Sequence, residues 1–426
     1  MKRSKKIFKL ILSVIIFISI LNICLPVVNA QSLNNSVGTG NYIVMELEHD
    51  QVLYKHNSEK ETNSSLLNRL MTCLITLEYQ SVTNLVTPKK DSISRNEKFR
   101  LSSKEQYTIE SLVKATMLGG ADNTTVALAE HIATSEQDFV QLMNDKAKQF
   151  GMQNTFFANA DGSPNELQHT TLLDMAIFMK NAMKNQQFSD ILNLRMALWD
   201  NLVILNENKL LIEGNLNYQQ GGVLGHFNNI PTAQNTSIYY VETGKADSLD
   251  TMRLIIIVSG TNEDNYVQTS DLLLENVVTN YKKDLLVQEG DKIFEIKVGD
   301  VNLNLNASSD VYCVMAKDVA NAVQNKSYTF IEGYGPDVIK PPIAVGTILG
   351  TANYQLKDGS TIRFSIIAGK DVEAKKTTVK SFLDTLKEYK EIYLLVIGLI
   401  VLEGIILLIK LINSIIRKIN IIRGDR

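Results

Sequence analysis

The stretch Ser64-Ser65-Leu66-Leu67-Asn68-Arg69-Leu70-Met71-Thr72 opens an apolar run that continues through Cys73 and Leu74 to Leu77. Apolar side chains at 66, 67, 70, 71, 73, 74 and 77 recur at helical spacing and cover most of the circumference, which predicts a core helix. Asn63 or Ser64 supplies the expected N-cap. Arg69 brings a charge into this apolar run, and a buried charge needs a partner nearby.

Outward from this helix the pattern changes type. Asn41-Tyr42-Ile43-Val44-Met45-Glu46-Leu47 alternates as a strand, His49-Asp50 makes a turn, and Val52-Leu53-Tyr54 returns as the hairpin partner. Ser135 and Asp138 form a capping box for an amphipathic helix with Phe139, Leu142, Met143 and Phe150 on one face, stopped by Gly151. Met252-Arg253-Leu254-Ile255-Ile256-Ile257-Val258 reads as a buried strand. From about Glu289 the pattern is pure β. Glu295 to Val298 and Val301 to Leu305 alternate, and Asp358-Gly359 turns the chain before Ile362, Phe364 and Ile366. No internal repeat or low-complexity stretch interrupts this order.

Over roughly residues 38–373 these landmarks resemble the low-molecular-weight penicillin-binding proteins, the D-alanyl-D-alanine carboxypeptidases. That family writes its nucleophile segment as Pro-Ala-Ser-x-Thr-Lys-(Ile/Leu)-Met-Thr. The Arg-Leu-Met-Thr ending at Thr72 fixes the register, so Leu66 stands at the serine position and Arg69 at the lysine position. In residues 106–134, Gly120-Ala121-Asp122-Asn123 occupies the place of the family's Ser-(Ala/Gly)-Asn-Asp, bracketed by two helices. Gly222-Val223-Leu224-Gly225-His226-Phe227-Asn228-Asn229 resembles Gly-Val-x-Gly-x-Lys-Thr-Gly on an edge strand, which puts Phe227, Asn228 and Asn229 on Lys-Thr-Gly. Pro342 to Thr347 resembles part of the family's second domain. The fold class implied is α/β: a penicillin-binding-protein or β-lactamase-like transpeptidase domain, with an antiparallel sheet flanked by helices. A small C-terminal β-sandwich domain and a C-terminal transmembrane helix complete it.

The family's reaction is acyl transfer through a serine ester, and this sequence lacks each part that the resemblance implies. Leu66 has no nucleophilic atom. Arg69 offers donors and no acceptor, so it cannot take a proton from a nucleophile. Gly120 brings no hydroxyl and Phe227 no charge for a substrate carboxylate, and Asn228 is a poor stand-in for threonine. Ser65 lies one place off, about 100° around the helix, and Ser64 and Ser65 read as caps. His226 reads as a structural strand residue. Arg69 and Asp122 replace residues that lie close together in the family, so they are expected to form a charge-assisted pair filling the former catalytic pocket. Two functions remain open at this point. One is a pseudoenzyme that binds wall precursors, binds a partner or holds another enzyme in place. The other is a working D-alanyl-D-alanine carboxypeptidase with atypical residues.

The chain has 426 residues, 43 basic and 46 acidic, for a formal net charge of -3. That is room for two domains plus membrane segments, and the balance gives no reason to expect a nucleic-acid partner. Lys2, Arg3, Lys5, Lys6 and Lys9, the apolar run Leu10 to Ile23, and Val28-Asn29-Ala30 read as a cleavable leader. Cys73 and Cys313 are expected as free thiols in different domains. His49, His56, His131, His169 and His226 show no ligand spacing, so no metal and no cofactor is expected. Ile392 to Ile409 is just long enough to span a bilayer. Its aliphatic residues, each favouring insertion by roughly 0.3–0.6 kcal/mol, outweigh about 3 kcal/mol for Glu403. Lys410, Arg417, Lys418, Arg423 and Arg426 then place the C-terminus in the cytoplasm.

The expected organisation is a signal peptide at 1–30, a carboxypeptidase-like domain at 31–284, a β-sandwich at 285–373 and a linker at 374–391. A transmembrane helix at 392–412 and a basic tail at 413–426 follow. The expected partners are the membrane, through the C-terminal helix, and a peptidoglycan stem peptide or another envelope protein.

Overall fold

Strands β1 (Asn41–Glu46) and β2 (Gln51–His56) form the opening hairpin, which turns at Asp50 with φ 59°. In this computed structural model the described residues are 40–94, 99–199, 202–206, 208–213, 219–225, 235–244, 249–261, 265–317, 322–336, 338–374 and 390–424. The leader and most of the expected linker lie outside them. The hairpin leads into helix α1 (Ser65–Tyr79), which is buried from Ser65 to Leu77. Such burial on every side is what the near-continuous apolar circumference calls for.

Around α1 pack α2 (Ile109–Gly119), α3 (Asp122–Ile132) and α4 (Glu136–Phe150), then α5 (Leu172–Ala182) and α6 (Gln186–Leu192). The cap of α4 is as the sequence pattern requires. The Ser135 hydroxyl accepts the Asp138 N–H at 3.2 Å, and Gly151 ends the helix in the left-handed region at φ 82°. A small hairpin follows, β3 (Met196–Trp199) with β4 (Leu202–Leu205).

Strands β5 (Gln219–Gly225), β6 (Asn235–Thr243) and β7 (Met252–Thr261) complete a five-stranded antiparallel sheet in the order β2-β1-β7-β6-β5. Helix α7 (Asn265–Asn280) covers the sheet face opposite α1. Period-2 alternation divides each strand between two cores. Ile43, Met45, Ile238, Ile255 and Ile257 join the core around α1, while Tyr42, Val44, Tyr239, Leu254, Ile256 and Val258 join the core under α7. The uninterrupted apolar run of β7 has this cause: it lies mid-sheet with both faces covered.

The C-terminal unit is all β. Strand β8 (Tyr281–Val287) follows α7 directly, so the boundary expected near residue 285 falls within it. The strands β9 (Lys292–Val298), β10 (Val301–Ala307), β11 (Val311–Ala316), β12 (Val323–Phe330), β13 (Ile348–Leu356) and β14 (Thr361–Ala368) follow. β8 pairs with β11, and the other five form one sheet in the order β9-β10-β14-β13-β12 around their own core. Last comes helix α8 (Lys390–Gly424), whose stretch Leu394–Ile416 is long and apolar enough to cross a membrane. That stretch begins and ends slightly later than the expected 392–412, and the helix itself continues into the basic tail.

Candidate active site

The first turn of α1 lies under a loop formed by residues 159–168. Asn68 anchors that loop, donating through Nδ2 to the Asn159 carbonyl at 2.7 Å and to Gln168 Oε1 at 3.1 Å. One turn on, the Thr72 hydroxyl donates to the Ala160 carbonyl at 2.9 Å. Within the loop, Gly162 has φ 80°, and a Cβ on it would lie 2.5 Å from the Ser65 Cα. Only glycine therefore permits this approach. Ser64 and Ser65 are both buried beneath the loop, and the Ser64 hydroxyl has no hydrogen-bond partner among the described residues.

Ser64 stands at the N-cap position, one of the two expected, but the reading of Ser64 and Ser65 as side-chain caps is corrected. Neither side chain caps the helix; Asn63 does so, its Oδ1 accepting the Ser65 N–H at 2.7 Å. Asn63 sits one residue further out, where its longer side chain reaches back to the orphan donor. Burial also removes both hydroxyls from the position of an exposed nucleophile.

Leu66, at the expected nucleophile position, is buried in the core around α1. Arg69 stands one turn further along the helix. Its Nη1 donates to Asp122 Oδ1 at 3.1 Å and to the Gly120 carbonyl at 3.4 Å. The Arg69 side chain is 7% exposed and that of Asp122 35%, so the pair runs from the protein interior to its edge. Asp122 begins α3, where the helix N-terminus favours a negative charge. Gly120 closes α2 in the left-handed region, φ 62° and ψ 30°, and its N–H donates to the Ala115 carbonyl. A serine here would meet backbone strain that glycine avoids.

The α2–α3 corner is held from within. The Thr125 hydroxyl donates to the Ala121 carbonyl at 2.7 Å, Thr116 and Thr124 share a hydroxyl bond of 2.8 Å, and Asn123 Nδ2 donates to the Phe99 carbonyl. Cys73, one turn beyond Arg69, is a free and buried thiol. Burial pushes that thiol far above its ordinary range, against the weaker opposing pull of Arg69 and a hydrogen bond to Thr116. A thiol held protonated in this way is a weak nucleophile, because the thiolate is the reactive form.

β5 lies at the open edge of the sheet, with Gly222 opposite Tyr239 and Gly225 opposite Thr236. His226, Phe227, Asn228 and Asn229, which follow it, lie outside the described residues. Among the described residues no group of three or more His, Cys, Asp or Glu side chains is placed to hold a metal ion.

Sequence reasoning missed Asn68 and its loop. Its partners lie 91 and 100 residues away in a segment with no periodic pattern, so no spacing in the sequence links them.

An antiparallel sheet with a buried helix on one face and a β-sandwich behind it defines the penicillin-binding-protein class of fold. Penicillin-binding protein 5 of Haemophilus influenzae superposes with a TM-score of 0.65 at 22% identity, covering 80% of this chain and 99% of that one. The peptidoglycan synthesis regulatory factor PBP3 of Streptococcus pneumoniae gives 0.65 at 19% identity, covering 79% and 100%.

The sequence profile of the D-alanyl-D-alanine carboxypeptidases matches residues 28–261, and the chain belongs to that family. Among its relatives, the D-alanyl-D-alanine carboxypeptidase DacF of Bacillus subtilis is 25% identical over 366 residues, 80% of this chain and 87% of its own. DacC of Escherichia coli is 25% identical over 363 residues, 79% and 85% respectively.

Proposed function

We propose that this chain is a catalytically silent member of its family, anchored in the membrane, with a binding, scaffolding or regulatory role at the peptidoglycan layer. The observation that carries the reading is the first turn of α1. An aliphatic side chain, Leu66, stands where acyl transfer needs an oxygen, and Arg69, a donor without an acceptor, faces Asp122 at 3.1 Å. The buried Ser64, Ser65 and Cys73 supply no alternative nucleophile.

In this reading Gly120 and Asp122 take the second motif's places and Phe227, Asn228 and Asn229 the third's. The leader at 1–30 is removed, and the domains at 31–284 and 285–373 stand outside the membrane. The linker at 374–391 joins them to the span at 392–412, and the basic tail at 413–426 lies in the cytoplasm. The apolar stretch of α8 and the lysines and arginines after it support this topology. The relatives are named for action on D-alanyl-D-alanine, so the partner is a peptidoglycan stem peptide or another envelope protein.

Labelling with a fluorescent penicillin tests the catalytic half of the proposal. The full chain, purified in detergent and folded by circular dichroism, is expected to form no adduct that survives denaturation, while an active relative treated alongside it does. A stable adduct, mapped by peptide mass to any residue of α1, would replace this reading with that of an active carboxypeptidase.

A further inference from the structure

The stretch Leu394–Ile416 of α8 is wholly exposed, and Glu403 lies two residues from its midpoint. In a membrane this puts a carboxyl group about 3 Å from the bilayer centre. Glu403 has no hydrogen bond or ion pair among the described residues. Ionisable side chains at that depth are costly, and they face another helix or a polar cavity. Lys410 follows seven residues later, about 10 Å along the axis, with a long stem that reaches toward the headgroups.

The spacing of these two charges selects the occupant of the helix face. Copies of one chain insert in the same orientation, which sets Glu403 against Glu403 and leaves the other copy's Lys410 about 10 Å away along the axis. A second copy therefore brings another carboxyl, which when protonated shares a hydrogen bond at most, and no counter-charge. Ile400, Glu403, Gly404 and Leu407 share one face, since residues three and four apart are neighbours on a helix. Gly404 carries no side chain, so another backbone can come close to this face.

We propose that this face docks a transmembrane helix of a different membrane protein, one that carries Lys or Arg at the depth of Glu403. The proposal rests on the membrane anchoring put forward above, and the test separates the two.

The full chain, donor-labelled at its C-terminus, is reconstituted in phosphatidylcholine vesicles with acceptor-labelled leucine-alanine host helices bearing Lys, Leu or Glu at their centre. Energy transfer is expected to report association with the Lys host about three- to tenfold tighter than with the Leu host. E403L should erase that preference, and E403K should transfer it to the Glu host, a gain that misfolding cannot produce. Equal transfer to the Lys and Leu hosts, or an unchanged preference in E403L, would overturn the proposal. So would transfer between two labelled copies of the chain that no host competes away, which would make the second copy the occupant. A chain that fails to float with the vesicles overturns the anchoring itself, an outcome distinct from a floating chain that prefers no host.

Discussion

Arg69 lies 3.1 Å from Asp122 with its own side chain almost wholly covered, while Asp122 remains about a third exposed. Removing the carboxylate strands the buried partner, which for a fully buried pair costs about 3–5 kcal/mol. Solvent at Asp122 screens the pair, so we expect D122A to lose about 1–3 kcal/mol. D122N keeps an acceptor oxygen and should lose less. Urea titration checks this: the midpoint should fall with the slope unchanged, and a D122A midpoint equal to the native one would show that Arg69 needs no partner. The register in the sequence set Arg69 and Asp122 on neighbouring elements, and the distance is what the structure adds. The Asn68 contacts were not legible, because an amide that ties down a loop leaves no periodic trace. The Asn63 cap was legible only as one of two candidates. Choosing between Asn63 and Ser64 depends on side-chain reach rather than on residue class.

Helix α1 and the strands were legible because their burial patterns are written in their apolar spacing. β7 shows the limit of that signal: an unbroken apolar run does not say which residue faces which core, and only the neighbouring strands decide it. The two cysteines among the described residues, Cys73 and Cys313, bring a prediction at this scale. Cys73 faces Thr116 from within α1, and its thiol is pushed up by burial. Cys313 lies in β11, where burial foremost, then the carboxylates of Asp358, Asp284 and Glu46, push its thiol up to about 12. Folding therefore holds protons that the unfolded chain releases above about pH 9. The resulting contribution to stability is complete below that pH and is lost as the pH climbs toward 12. At pH 8, iodoacetamide should modify neither Cys73 nor Cys313 in the native protein and both in urea, as read by mass spectrometry. Prompt native modification of Cys73 would mean that the interior around Arg69 opens to solvent.

At the scale of the whole molecule, the two folded units meet through a side chain that behaves like a strand edge. Gln51, the first residue of β2, is fully buried. Its Nε2 donates to the Val314 carbonyl at 2.8 Å, and the Val314 N–H donates back to its Oε1 at 2.9 Å. Tyr281 packs edge-on against Tyr54 with centroids 5.6 Å apart, and its hydroxyl donates to the Leu53 carbonyl at 3.3 Å. The sequence placed Gln51 in the hairpin but gave it no task, since its partner lies 263 residues away in a strand of the other unit. Q51L keeps the bulk and leaves both polar groups of Val314 buried without Gln51, at about 1–3 kcal/mol for each group left unpaired. Val314 belongs to the core under α7, so the loss falls where that core meets the sandwich. The native protein should therefore unfold in one calorimetric transition, and Q51L should show the β-sandwich separating from it as a second, lower one. If Q51L instead lowers a single undivided transition, the remaining contacts suffice to couple the units, among them β8, which runs out of α7 without a break, the Tyr281–Tyr54 contact and the Lys283–Glu48 ion pair at 2.7 Å.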